Sequence, residues 1–110
     1  DYDNKYLKDV ATLQIPAHLP AELVARLRDL ALRAFRIAGC KGLARVDFLV
    51  DRGTLEPYLN EVNTMPGFTS ISMFPKLLGH DGIGYTELLS RLCDLARAHH
   101  VERQRLSVTR

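Results

Sequence analysis

At 110 residues the chain fits one domain at most, and 46% hydrophobic with 25% charged residues excludes disorder, collagen and coiled coil while allowing a single modest core. The 15 Lys and Arg against 13 Asp and Glu leave a net charge of +2, too little for a nucleic-acid-binding surface. No run approaches 18 apolar residues, which excludes a membrane-spanning helix.

The chain opens on Asp-Tyr-Asp-Asn-Lys-Tyr, polar, without an initiator Met and without the apolar stretch of a signal peptide. It reads as part of a longer protein. Residues 1–19 have no sustained period and are expected as a long loop, a feature that in compact domains is often functional. Pro20 suits a first helical turn. Leu23, Leu27, Leu30, Ala31, Ala34 and Ala38 follow at three- and four-residue steps, which predicts an amphipathic helix over 20–38 stopped by Gly39.

The period then changes to two. Ala44, Val46, Phe48 and Val50 fall on one strand face and Leu43, Arg45, Asp47 and Leu49 on the other. Asp51-Arg52-Gly53-Thr54 is turn chemistry. Pro57 opens a second strand, in which Tyr58, Asn60 and Val62 alternate with Leu59, Glu61 and Asn63. So short a link predicts an antiparallel hairpin. A loop rich in Pro, Gly and hydroxyls follows, then a short helical piece over 72–78 ending at Gly79. Gly82 and Gly84 punctuate the link to a last helix, 85–100, striped by Leu88, Leu89, Leu92, Leu95 and Ala96. Residues 101–110, with Arg103, Arg105 and Arg110, are expected as a solvated basic tail. Cys40 and Cys93 lack metal-ligand spacing and are expected as buried free thiols of a reducing cytoplasm. The histidines at 18, 80, 99 and 100 show no ligand spacing and are expected at the surface.

The chemistry lies in a conflict between pattern and burial. Arg45 and Asp47 interrupt a face shared with Leu43 and Leu49; Glu61 and Asn63 interrupt one shared with Leu59. Buried charges need partners. A regular register placing Asp47 opposite Glu61 also places Arg45 opposite Asn63 and Asp51 opposite Pro57, leaving Arg52 to Glu56 as a permitted hairpin loop. The two acidic side chains then stand about 4.5–5.5 Å apart and repel. A divalent cation between them resolves the conflict, since carboxylate and amide oxygens are the hard ligands that Mg²⁺ prefers. The alternative is that both acids face solvent, or that Arg45 neutralises one.

Ala44-Arg45-Val46-Asp47-Phe48, followed by Asn60-Glu61-Val62-Asn63-Thr64-Met65-Pro66-Gly67-Phe68-Thr69-Ser70-Ile71-Ser72, resembles the C-terminal signature of the D-alanine–D-alanine ligases, members of the ATP-grasp superfamily. Asp1-Tyr2-Asp3-Asn4-Lys5-Tyr6-Leu7 is similar to the mobile active-site loop of that family. The resemblance implies an α/β (α+β) fold. Residues 1–19 would be the mobile loop and 20–100 the C-terminal part of an ATP-grasp domain, an antiparallel hairpin flanked by helices. It implies ATP as cosubstrate and two Mg²⁺ ions, with Mn²⁺ able to stand in. Asp47 and Glu61 would hold one ion, and Glu61 and Asn63 the other.

By the same resemblance, Arg45 faces the transferring phosphoryl group and the tetrahedral intermediate, and the Gly67 N–H joins it as an oxyanion donor. Ser72 and the Met73 backbone grip the carboxylate of the second D-alanine. Lys5 reaches the ATP phosphates, and Tyr6 covers the substrate site. The implied activity is ATP-dependent joining of two D-alanines through an acyl phosphate for peptidoglycan precursors, in a cytoplasmic protein that is a homodimer at full length and engages neither nucleic acid nor membrane. These 110 residues alone are expected to be inactive. A different ATP-grasp carboxylate–amine ligase and a non-catalytic α/β interaction module are the other readings.

Overall fold

The computed structural model describes residues 16–69 and 71–108. Its elements in chain order are α1 (Ala21–Ile37), β1 (Arg45–Val50), β2 (Pro57–Asn63), α2 (Met73–His80) and α3 (Tyr85–Val108). The two strands form one antiparallel sheet. α1 packs on that sheet and α2 packs on α3, which is the α+β hairpin-and-helix arrangement expected.

Helix α1 starts one residue later than predicted, with Pro20 as its N-cap. Its end follows the glycine signal closely. Gly39 has φ +70°, its N–H bonds the Arg36 carbonyl, and the Cys40 N–H bonds that of Phe35 (3.1 and 3.0 Å). This is the paired closure of a Schellman motif, which a residue with a Cβ adopts only under strain. α2 ends the same way two residues beyond the expected stop: the Gly82 and Ile83 N–H groups bond the Gly79 and Leu78 carbonyls. Gly79 is therefore helical, and Gly82, at φ +92°, is the terminator. α3 runs on through the expected tail to Val108. Glu102 to Arg105 contain no breaker, all are good helix formers, and Arg105 in the last turn complements the helix dipole. These residues are nevertheless exposed.

Burial is sparse. Among the described residues the buried ones are Leu23, Pro57, Pro66, Pro75 and Leu88, and no side chain is completely enclosed. The single modest core allowed by composition is thus reduced to a seam between α1 and the sheet and another between α2 and α3. An open groove of about 450 Å³ lies along the first seam, lined by Leu30, Ala34 and Ile37 of α1 and Phe48, Leu59 and Val62 of the strands. The thiols are free as expected, but Cys40 is half-buried and Cys93 exposed. His99 is half-buried rather than superficial, in a cleft with Leu92, Lys41 and Glu102. No helix among the described residues is long and apolar enough to cross a membrane.

Candidate functional site

The hairpin register holds in its site half and slips in its other half. Arg45 pairs with Asn63, Val46 with Val62 and Asp47 with Glu61 as predicted, after which Phe48 pairs with Leu59, Leu49 with Tyr58 and Val50 with Pro57. Asn60 is the extra residue of a β-bulge. Two corrections follow. Asp51 is not paired with Pro57, so the turn is one residue longer than a regular register allows. Leu59 does not share the face of Glu61 and Asn63; it joins Phe48 and Val62 toward α1. The physical reason is visible in the spacing: Pro57, Leu59 and Val62 are the apolar residues for the α1 side, and a two-then-three step reaches one face only through an inserted residue.

The opposite face carries Arg45 and Asp47 from β1 and Glu61 and Asn63 from β2, with Leu49 and Tyr58 beyond them. Two carboxylates directly opposed on one pleat repel, and the face supplies one cation against them. Arg45 donates Nε–H to Asp47 Oδ1 and Nη2–H to Asp47 Oδ2, both at 2.9 Å. This bidentate pair, about 30% exposed (29% and 31%), realises the expected alternative in which Arg45 neutralises one acid. The hydrogen bond to Asp47 is the main cause holding the Arg45 guanidinium above its ordinary pKa; burial opposes it, and the charges of Asp47 and Glu61 add to it. The Glu61 carboxylate is exposed rather than buried as expected, and it makes no hydrogen bond among the described residues. The Asn63 Oδ1 accepts the Met65 N–H at 3.0 Å, which turns the chain out of β2.

These donors fit a hard divalent cation whose remaining ligands come from elsewhere. The described residues contain no group of three or more His, Cys, Asp or Glu able to hold an ion alone. Two carboxylates and an amide are the partial oxygen set that Mg²⁺ accepts when waters and phosphates complete its octahedron. Each Asp47 oxygen retains a lone pair after Arg45 has taken one, so the ion pair does not block ligation.

The loop after β2 brings the next predicted residues together. The Gly67 backbone is not in the left-handed region; what the position requires is room, because a Cβ there would meet Ser72 Oγ at 3.1 Å. The Gly67 N–H has no partner among the described residues. Ser72 is the N-cap of α2 and Met73 its first residue, yet the Ser72 side chain does not cap. Of the two usual recipients of such a cap, the N–H groups of the second and third helical positions, the third is missing because Pro75 stands there. The Ser72 hydroxyl turns back instead to Thr69, accepting its N–H at 3.0 Å and meeting its Oγ1 at 2.7 Å. The Tyr85 hydroxyl donates to the Phe68 carbonyl at 2.5 Å. Phe68 itself packs against the rings of Phe74 and Tyr85 (centroids 6.1 and 5.5 Å), which fastens the loop to both following helices. Phe68 and Thr69 stand in the signature that carries the resemblance, but sequence reasoning assigns no role to them or to Tyr85; the three-residue spacing of hydroxyls in a Pro-Gly loop is the available signal for Thr69. Lys5 and Tyr6 lie outside the described residues.

Comparison with known proteins points to one family. A family model described as D-ala D-ala ligase C-terminus matches residues 1–94. The D-alanine–D-alanine ligase of Solibacter usitatus is 48% identical over 104 residues, covering 94% of this chain and 32% of that protein. The solved D-alanine–D-alanine ligase of Coxiella burnetii superposes with a TM-score of 0.85 at 37% identity, over 90% of this chain and 28% of its own. That of Bacillus anthracis, solved in complex with ATP, gives 0.72 at 37% identity over 78% and 30%. The chain therefore spans about a third of the length of the relatives it matches.

Proposed function

The chain belongs to the D-ala D-ala ligase C-terminus family, and we propose from this that the protein it forms part of joins two molecules of D-alanine at the expense of ATP. The observation that carries the reading is the cross-strand pair Asp47 and Glu61 on the same face as Arg45 and Asn63. In the proposed reaction ATP phosphorylates the carboxylate of the first D-alanine. The amine of the second then attacks the acyl phosphate, releasing phosphate and D-alanyl-D-alanine, a peptidoglycan precursor. Catalysis is mainly positioning and electrostatic stabilisation.

Asp47 and Glu61 would hold one Mg²⁺, and Glu61 with Asn63 the second, Mn²⁺ substituting for either. Bound there, the ions supply charge neutralisation at the phosphates. Arg45 presents a planar cation where negative charge develops on the transferring group. The Gly67 N–H, without a partner among the described residues, donates to the oxyanion. The Ser72 hydroxyl and Met73 N–H, at the uncapped start of α2, hold the carboxylate of the second D-alanine. Lys5 would contact the ATP phosphates and Tyr6 would cover the substrates, as part of a loop over 1–19. The full-length protein is placed by this reading in the cytoplasm as a homodimer.

The test uses a chain of the relatives' full length carrying these 110 residues in the matching place, assayed by D-alanine-dependent ADP release. Asp47→Asn and Glu61→Gln are each expected to lower turnover at least about a hundredfold, the scale of losing one electrostatic group at a phosphoryl-transfer centre. Unchanged turnover in both would leave a non-catalytic module as the reading. Full ADP release with another acceptor amine and none with D-alanine would make the protein a different ATP-grasp ligase.

A further inference from the structure

We propose that Thr69 is a positioning residue for the acceptor substrate: its hydroxyl fixes the Ser72 hydroxyl as a one-directional donor to the substrate carboxylate. The inference rests on the reading of Ser72 given above. Three hydrogen bonds tie the two residues. The Ser72 N–H donates to the Thr69 carbonyl at 3.0 Å, the Thr69 N–H donates to Ser72 Oγ at 3.0 Å, and the two hydroxyl oxygens stand 2.7 Å apart. A serine hydroxyl has one proton and two lone pairs. When a carboxylate takes the Ser72 proton, the remaining hydroxyl contact requires Thr69 Oγ1–H to donate. Ser72 Oγ then accepts from both the N–H and the O–H of Thr69, its lone pairs are filled, and its own proton has a single direction left. Accepting two hydrogen bonds also polarises the O–H and strengthens it as a donor.

The neighbourhood narrows the competing role. A serine at this position ordinarily bonds the helix's own first turn, but Pro75 takes away the third-position N–H, and no side-chain cap forms. Gly67 leaves the room in which the Ser72 side chain can turn back, since a Cβ would crowd it at 3.1 Å. The Tyr85 hydroxyl bond to the Phe68 carbonyl fixes the residue before Thr69, so the threonine is held from a rigid base.

Thr69→Val keeps the side-chain shape and both backbone bonds and deletes only the hydroxyl. In the full-length ligase carrying this chain, it is expected to raise KM for the second D-alanine about five- to tenfold, as for one polar contact, with kcat, the first D-alanine and ATP within about twofold of the parent. Thr69→Ser restores the hydroxyl and is expected to recover most of the loss. An unchanged acceptor KM in Thr69→Val overturns the inference, as does a joint loss in kcat, both substrate constants and melting temperature, which marks a merely structural residue. Ser72→Ala separates the two levels. If it raises the acceptor KM while Thr69→Val does not, the positioning role alone falls; if neither moves it, the assignment of Ser72 to the acceptor carboxylate falls first.

Discussion

Arg45 sits at the point where two demands on one side chain meet. It neutralises Asp47 through a two-pronged contact at 2.9 Å, and in the proposed reaction it also faces the phosphoryl group. Only a planar fork can hold a carboxylate bidentately while keeping a further N–H for a second anion. Arg45→Lys retains the charge and loses that geometry. Because the pair is about a third exposed (29% and 31%), its removal should cost less than about 1 kcal/mol of stability. Turnover should fall at least about tenfold, since the lost donor matters at the transition state. Melting temperature and ADP release measured on the same preparations check the separation. A large drop in melting temperature with normal turnover per folded molecule would reverse it.

At the scale of the hairpin, the site half was legible and the distal half was not. The like-charge conflict of Asp47 and Glu61, together with Arg45 and Asn63, selected the register that the strands adopt. The same reasoning extends the regular pairing to Asp51 and Pro57, because strict alternation of Tyr58, Asn60 and Val62 leaves no place for an extra residue. The spacing of Pro57, Leu59 and Val62 contained the bulge, and burial against α1 decided it over alternation. The turn itself is shaped by Asp51, whose Oδ1 accepts the Gly53 and Thr54 N–H groups at 2.8 and 2.7 Å, with Leu55 at φ +59°. Arg26 of α1 grips Glu56 with two hydrogen bonds at 2.8 and 3.1 Å. No sequence period signals such a contact, because it links residues 30 positions apart.

These contacts make the turn acid-sensitive. The Thr54 and Gly53 bonds hold Asp51 below its ordinary pKa of 3.8, and the Arg26 bond holds Glu56 below 4.5. A carboxylate with a lowered folded pKa binds fewer protons folded than unfolded, so its contribution is present above the ordinary value and is lost as pH falls through the lowered one. Carbon-detected NMR titration should give Asp51 a midpoint below 3.8, with the Gly53 and Thr54 amide protons shifting in step. In Asp51→Asn, whose amide oxygen still accepts, those shifts should no longer follow pH. A midpoint at or above the ordinary value would remove the turn hydrogen bonds from the account.

For the molecule as a whole, composition promised more than the fold delivers. The apolar stripe of α1 finds the sheet and half-buries Leu27, Leu30, Ala31 and Ala34, but Ile37 remains 84% exposed and Leu59 55%. On α3 the stripe buries Leu88, while Leu89, Leu95 and Val101 stay exposed. Helical periodicity reports that a face is apolar, and does not report whether this stretch of chain contains the surface that covers it. With Leu23 and Leu88 as the buried apolar residues among those described, little hydrophobic burial offsets the conformational entropy of ordering the chain. The two seams, α1 on the sheet and α2 on α3, should moreover unfold with little coupling. The isolated 110-residue chain is therefore expected to lose structure in urea over a broad transition, with a slope below the ~1–3 kcal/mol/M of small cooperative domains, and to bind a hydrophobic dye in the absence of denaturant. Within a chain of the relatives' length, the same segment should unfold in a steep transition and leave the dye unbound. A single steep transition in the isolated chain, coincident by far-ultraviolet circular dichroism and tyrosine fluorescence, would show that the two seams suffice as a core and that the exposed stripes need no covering surface.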